Sequence, residues 1–205
     1  MAAMYIVCSD LEGIFTPEIW ISFSEITGID ELRLTTRDIS DYNVLMRRRL
    51  AILEENNLTL SDIQAVIRKM EPIAGALEFL NWLRTRVEVI IVSDTYVEFA
   101  GPLMEKLDRP TLFCNTLVTN GDGAITGYKL RQEDGKKKVA QALKSLNYRV
   151  IAIGDSYNDI TMLQAADHAI LYRPPENVMA EYSEFPAVFD YPALRERLEE
   201  IMNRQ

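Results

Sequence analysis

The sequence predicts an α/β protein: a parallel sheet carrying a small all-helical insert and one β-hairpin. Three observations lead there. From about residue 72 onward, short and almost purely apolar runs alternate with helical patterns, which is how a sheet covered by helices on both faces reads. Residues 17 to about 71 show helical periodicity only. Asn120-Gly121-Asp122-Gly123, set between two strand-like segments, marks the tight turn of a hairpin.

The first strand is Met4-Tyr5-Ile6-Val7-Cys8, and it runs into the acidic pair of Asp10-Leu11-Glu12. Thr16-Pro17-Glu18 supplies, in order, a helix cap, a first-turn proline and an acid, so a helix should follow at once. Inside the insert, Ile19, Phe23 and Ile26 form one apolar stripe. Tyr42, Leu45, Met46, Leu50, Ile52 and Leu53 form a second, and Ile63, Val66, Ile67 and Met70 a third. After Glu71-Pro72, a helix carrying Ala76, Phe79, Leu80 and Leu83 leads to a buried strand over 87–92 that ends at Ser93-Asp94. A helix over 97–107, hairpin strands over 111–117 and 125–130, and a helix over 136–146 come next. The strand over 150–153 ends at Gly154-Asp155. A short helix to Ala166, a strand over 168–171, a break at Pro174-Pro175 and a helix over 193–203 complete the chain. The expected division is a core of 1–15 and 72–205 and a helical cap of 16–71.

At 205 residues the chain holds one main core and a minor insert. Its net charge of −9 argues against nucleic acid, which needs a basic footprint. No apolar stretch reaches the roughly 18 residues of a membrane span and no secretory signal is visible, so a cytoplasmic protein is expected. Cys8 and Cys114 fit neither a disulfide framework nor a zinc site and read as core thiols. The single histidine, His168, opens a strand and reads as structural. Trp20 and Trp82 sit among apolar residues at helical spacing and read as core. Oligomeric state is not legible.

Three strands end alike, at Asp10-x-Glu12, Ser93-Asp94 and Gly154-Asp155-Ser156-Tyr157-Asn158-Asp159. Parallel strands bring such ends to one edge, where open sheets bind their ligands. Asp10, Glu12, Asp94, Asp155 and Asp159 would then crowd one crevice and repel one another unless a cation sits among them. A hard divalent ion with oxygen ligands is implied, and Mg²⁺ fits because it is commonly shared between carboxylates and a substrate phosphate. A lysine at the start of a helix beside that edge adds fixed positive charge. Lys136 is expected there, in competition with Lys137 and Lys138. No phosphate-loop motif is present, so a phosphoryl group would be attacked by an acid or by water.

Asp10-x-Glu12, Ser93, Lys136 and Gly154-Asp155-x-x-x-Asp159 resemble the four motifs of the haloacid dehalogenase superfamily. Glu12 stands where the superfamily has its second aspartate, and Ile14 where it has Thr or Val. Within the superfamily, Asp10-Leu11-Glu12-Gly13, Pro17-Glu18-Ile19-Trp20, Thr36-Arg37-Asp38-Ile39, Arg49-Leu50 and Leu130-Arg131-Gln132 are similar to the bacterial phosphoserine phosphatase/homoserine phosphotransferase group, which shares the glutamate. The resemblance implies a Rossmann-like sheet with a helical cap. It makes Asp10 the nucleophile and a Mg²⁺ ligand, Glu12 the acid/base and a carbonyl ligand, and Asp155 the second carboxylate ligand. Ser93, Asp94, Lys136 and Asn158 would bind substrate, and Asp159 would orient Lys136.

On a helical wheel Arg49 falls inside the stripe of Tyr42, Leu45 and Met46, while Arg47 and Arg48 fall outside it. An arginine there either snorkels to solvent or clamps a substrate carboxylate, with Glu18 taking an ammonium. The resemblance assigns the second role. Phosphoserine as donor and homoserine as a second acceptor are then expected. A phospho-accepting receiver-like module, another small-metabolite phosphatase of the same superfamily, and a catalytically silent binding protein are the alternatives. Glu12 and the helical insert disfavour the first of these.

Overall fold

The computed structural model describes residues 4–35, 38–39 and 41–203. Thr36 and Arg37, half of one motif named above, lie outside them. Seven strands form a single sheet in the order β4-β3-β2-β1-β5-β6-β7. They are β1 (Tyr5–Ser9), β2 (Glu88–Tyr96), β3 (Thr111–Thr119), β4 (Ile125–Lys129), β5 (Arg149–Gly154), β6 (His168–Tyr172) and β7 (Ala187–Val188). All neighbours pair parallel except β3 and β4, the hairpin.

The helices are α1 (Ile19–Thr27), α2 (Tyr42–Glu55), α3 (Leu60–Ile67), α4 (Ala76–Arg84), α5 (Val97–Lys106), α6 (Gly135–Ser145), α7 (Ile160–Ala165), α8 (Glu176–Glu181) and α9 (Tyr191–Asn203). Strand alternation sorts the core onto two faces. Val7, Ile151 and Ile153 pack with α4, α5 and α9, and the same cluster continues into α1 and α3. Ile6, Cys8, Val150 and Ala152 pack with α6, α7 and α8 on the other face.

The chain reverses its winding at β1, which lies between β2 and β5. Ser9 pairs with Ile91 on one side and with Ile153 on the other, so the pairing of β1 with both neighbours ends in one row. Asp10, Ser93 and Asp155 each follow within two residues of that row, as the strand-end reading expects.

Four local expectations need correction. Thr16 does not cap α1. The segment after β1 folds back on itself, with the amides of Phe15 and Thr16 both donating to the Leu11 carbonyl, and this turns Thr16 into the interior. Strand β2 does not stop at Ser93-Asp94 but runs to Tyr96, its register slipping between Val92 and Tyr96. That irregular stretch carries the two site residues. Helix α8 and strand β7 were not foreseen: α8 follows Pro174-Pro175, which read only as a break, and two residues are too short to show alternation. The last helix starts at Tyr191, where the Asp190 carboxylate accepts from the Ala193 amide at 2.8 Å.

Candidate active site

Asp10 leaves β1 buried, at 5% exposure. Its Oδ1 accepts from the Leu11 amide at 2.8 Å and its Oδ2 faces Lys136 Nζ at 3.0 Å. Of the three lysines, only Lys136 turns inward. It donates to Asp159 Oδ1 at 2.7 Å and lies 3.6 Å from Asp94 Oδ2, whereas Lys137 reaches Asp134 and Lys138 is exposed. The other oxygen of Asp159 accepts from the amides of Asp155, at 2.9 Å, and Ser156, at 3.2 Å. Asp159 thus ties the β5 turn to Lys136.

Two glycines permit this crowding. Gly13 has φ +77°, and a β-carbon on it would collide with Asp155 Oδ2. A β-carbon on Gly154 would strike Asp159.

Carboxylate oxygens of Asp10, Asp155 and Asp159 lie within 4.8 Å of one another, a set that could hold a metal ion. Burial, then Asp159, raises the pKa of Asp10 despite Lys136. The same two causes push Asp155 up to about 7. Burial works against the charge of Lys136, yet Asp10, Asp159 and Asp94 together hold its pKa well above the ordinary value. A cluster with more acids than cations, all with hard oxygen donors, fits a divalent ion. Asp159, with its oxygens committed to Lys136 and to amides, serves better as the holder of the cluster than as a ligand.

Glu12 Oε1 accepts from the Ile19 amide at 2.9 Å, at the start of α1. Burial, then neighbouring Glu18, pushes its carboxyl up to about 8. On the adjoining turns, Asn158 Nδ2 donates to Asp94 Oδ2 at 2.9 Å and its Oδ1 accepts from Ser156 Oγ at 2.6 Å. Ser93 Oγ accepts from the Thr95 amide at 3.2 Å.

These groups open into a cavity of about 630 Å³. Asp10, Glu12, Glu18, Arg49, Ser93, Asp94, Lys136 and Asn158 all line it; buried Asp155 and Asp159 stand beside it. The wheel assignment for α2 holds: Leu45, Met46, Arg49 and Leu53 are buried, while Arg47 and Arg48 are exposed. Arg49 does not snorkel. Its guanidinium lies 4.5 Å from the centre of the Trp20 ring and Nη2 donates to the Leu34 carbonyl at 2.8 Å. Its Nε is buried with no partner among the described residues. Burial lowers its pKa to about 10.

The cavity also has lining residues to which sequence reasoning gave no role. Tyr42 appeared only as part of an apolar stripe, yet its hydroxyl meets that of Tyr96 at 2.6 Å and donates to the Asp94 carbonyl at 3.3 Å. Asn115, on β3, gave no signal at all. Its Nδ2 donates to the Asp94 carbonyl at 3.1 Å and its Oδ1 accepts from the Arg131 amide at 3.0 Å. Arg131 and Gln132 were visible as a motif without a function. Cys114, read as a core thiol, is buried but also borders the cavity.

Residues 20–167 match the haloacid dehalogenase-like hydrolase family. The chain belongs to that family. A phosphoserine phosphatase of Pseudomonas syringae pv. tomato is 52% identical over 203 residues, covering 99% of this chain and 86% of the relative. The phosphoserine phosphatase ThrH of Pseudomonas aeruginosa is 55% identical over 192 residues, 94% of each chain. The fold matches the crystal structure of a phosphoserine phosphatase in its apo form with a TM-score of 0.76, at 21% identity and over 96% and 98% of the two chains. A substrate-bound phosphoserine phosphatase complex matches with a TM-score of 0.75 at 19% identity, over 98% of this chain and 99% of the other. As a haloacid dehalogenase-like hydrolase, this chain is an enzyme, and the acid-lined cavity at its sheet edge is where small-molecule chemistry fits. No described helix is long and apolar enough to cross a membrane.

Proposed function

We propose that this hydrolase converts O-phosphoserine to serine and phosphate through a phosphorylated Asp10, and passes the phosphoryl group to homoserine when that acceptor is present. The observation that carries the reading is the placement of two unlike sets in one cavity. The Asp10–Lys136 pair and its acidic neighbours lie at the sheet edge, while Arg49, buried with an unpartnered Nε, lies in the α2 wall. The names of the relatives at 52% and 55% identity point the same way.

An Asp10 carboxylate oxygen attacks phosphorus and the bond to the serine oxygen breaks, with Glu12 giving that oxygen a proton. Water or homoserine then gives a proton to Glu12 and attacks the same phosphorus, which returns the electron pair to Asp10. Lys136, held by Asp159, and Ser93 balance charge on the phosphoryl oxygens; Asn158 and Asp94 border the same space. Arg49 takes the substrate carboxylate and Glu18 its ammonium. Asp10, Asp155 and the Glu12 carbonyl would hold Mg²⁺, which when bound neutralises the acids and polarises the phosphoryl group. Residues 16–71 form the cap over a core of 1–15 and 72–205. The two free, buried thiols suit a reducing cytoplasm.

The test is product analysis with O-phosphoserine and Mg²⁺, with and without excess chelator. Serine and phosphate should appear in equal amounts and stop when the metal is removed. Intact phosphoserine alongside brisk hydrolysis of another phosphomonoester would assign the site to a different metabolite.

A further inference from the structure

Among the described residues, three cations line the cavity: Lys136, Arg49 and Arg131. Lys136 is enclosed by Asp10, Asp94 and Asp159. Arg49 feels Glu12 and Glu18 and donates to the Leu34 carbonyl. Arg131 meets no carboxylate among the described residues. Its guanidinium lies 5.1 Å from the centre of the Phe113 ring, and its Nη2 is 3.7 Å from where a side chain on Gly135 would begin, one residue before Lys136.

Arg131 is also held in place. The buried side chain of Asn115 accepts from the Arg131 amide while donating to the Asp94 carbonyl. One amide therefore ties the Arg131 loop to the turn that carries Ser93 and Asp94. The cation–π contact with Phe113 restrains the exposed side chain and the tether fixes its backbone before any ligand arrives, which lowers the ordering cost of binding.

We propose that Arg131 receives the carboxylate of the phosphoryl acceptor, an inference that rests on the transfer reading above. The donor's charges are already matched, its phosphate by Lys136 and Ser93 and its head group by Arg49 and Glu18. Once serine has left, transfer brings the acceptor's carboxylate into a cavity lined by Asp10, Glu12, Glu18 and Asp94, which would repel it. Among the described residues, the lining cation that the donor does not use is Arg131. Homoserine is one methylene longer than serine, so with its hydroxyl at the phosphorus its carboxylate cannot occupy the same point as that of serine. In the transfer step the acceptor oxygen bonds to phosphorus, its proton goes to Glu12, the bond from phosphorus to Asp10 breaks, and the electron pair returns to the Asp10 carboxylate.

The partition of the phosphorylated enzyme between acceptor and water tests this, because that ratio is independent of how much active enzyme is present. Wild type, Arg131→Ala and Arg131→Lys are given phosphoserine and Mg²⁺ with subsaturating homoserine or with 3-amino-1-propanol, the same acceptor without its carboxylate. Arg131→Ala should lower the phosphohomoserine-to-phosphate ratio by about ten-fold or more, while the aminopropanol ratio stays within about two-fold. Arg131→Lys should recover part of the loss. An unchanged homoserine ratio, or an equal fall for both acceptors, overturns the assignment and leaves the transfer reading standing. Wild-type phosphate release with no phosphohomoserine at any homoserine concentration overturns the transfer reading and this assignment together.

Discussion

The sheet edge and the α2 wall face the same cavity but are built on opposite principles. At the sheet edge charge is held by charge and by backbone: Lys136 joins Asp10 to Asp159, and Asp159 takes two amides. On α2 the Arg49 guanidinium rests on the Trp20 ring in an apolar stripe and, among the described residues, its direct hydrogen-bonded oxygen is a carbonyl and not a carboxylate. The first arrangement has a fixed geometry because strand register sets it. The second keeps one buried donor, Arg49 Nε, without a partner among the described residues. Chemistry common to many substrates suits the first, and choice among substrates suits the second.

Substitutions at the two regions should therefore fail differently. The largest effect belongs to Asp10→Asn, which keeps the shape and removes the charge: phosphate release should fall to background while circular dichroism stays native. Lys136→Met comes next, because it leaves Asp10 and Asp159 facing each other without compensation. Breaking a buried pair of this kind costs about 3–5 kcal/mol, readable as a lower urea midpoint, and added Mg²⁺ should restore part of it. Retention of full stability in Lys136→Met would mean that the cluster is not electrostatically strained.

Arg49→Ala should act on recognition instead, weakening phosphoserine by about 2–5 kcal/mol in kcat/KM with a smaller loss on an aryl phosphate. Equal losses on both substrates would erase the contrast between the regions. Arg47→Ala and Arg48→Ala, exposed on the same helix, should change neither substrate. Leaving those two controls aside, the smallest effect is expected of Tyr42→Phe, which removes a hydroxyl shared with Tyr96 and the Asp94 carbonyl. About 1 kcal/mol, or roughly 2–4 °C in thermal midpoint for a chain of this size, is the expected loss.

The sheet edge was legible because strands announce themselves by apolar runs and parallel strands must end together; Asp10, Ser93 and Asp155 follow from that alone. Arg49 was legible because a 3.6-residue period separates it from Arg47 and Arg48. Lys136 was not separable from its neighbours by period, and only burial against Asp10 and Asp159 singles it out. Asn115 and Tyr42 were invisible for another reason. Their roles are bonds to the backbone of Asp94, far away in sequence, and nothing in local composition encodes such a partner. Strand β7 fell below the length at which alternation can be read, and helix α8 was hidden behind Pro174-Pro175, which read as a break. The role given to Thr16 failed because long-range folding of the chain around Leu11 overrode a local capping pattern.

The most direct test of the account is rapid acid quenching of the enzyme during turnover of phosphoserine with Mg²⁺, followed by mass spectrometry of the peptide containing Asp10. A phosphate adduct on Asp10 that appears within a turnover and disappears when substrate is exhausted is the predicted result. Steady turnover with no adduct on Asp10, or with the adduct on another side chain, would contradict it.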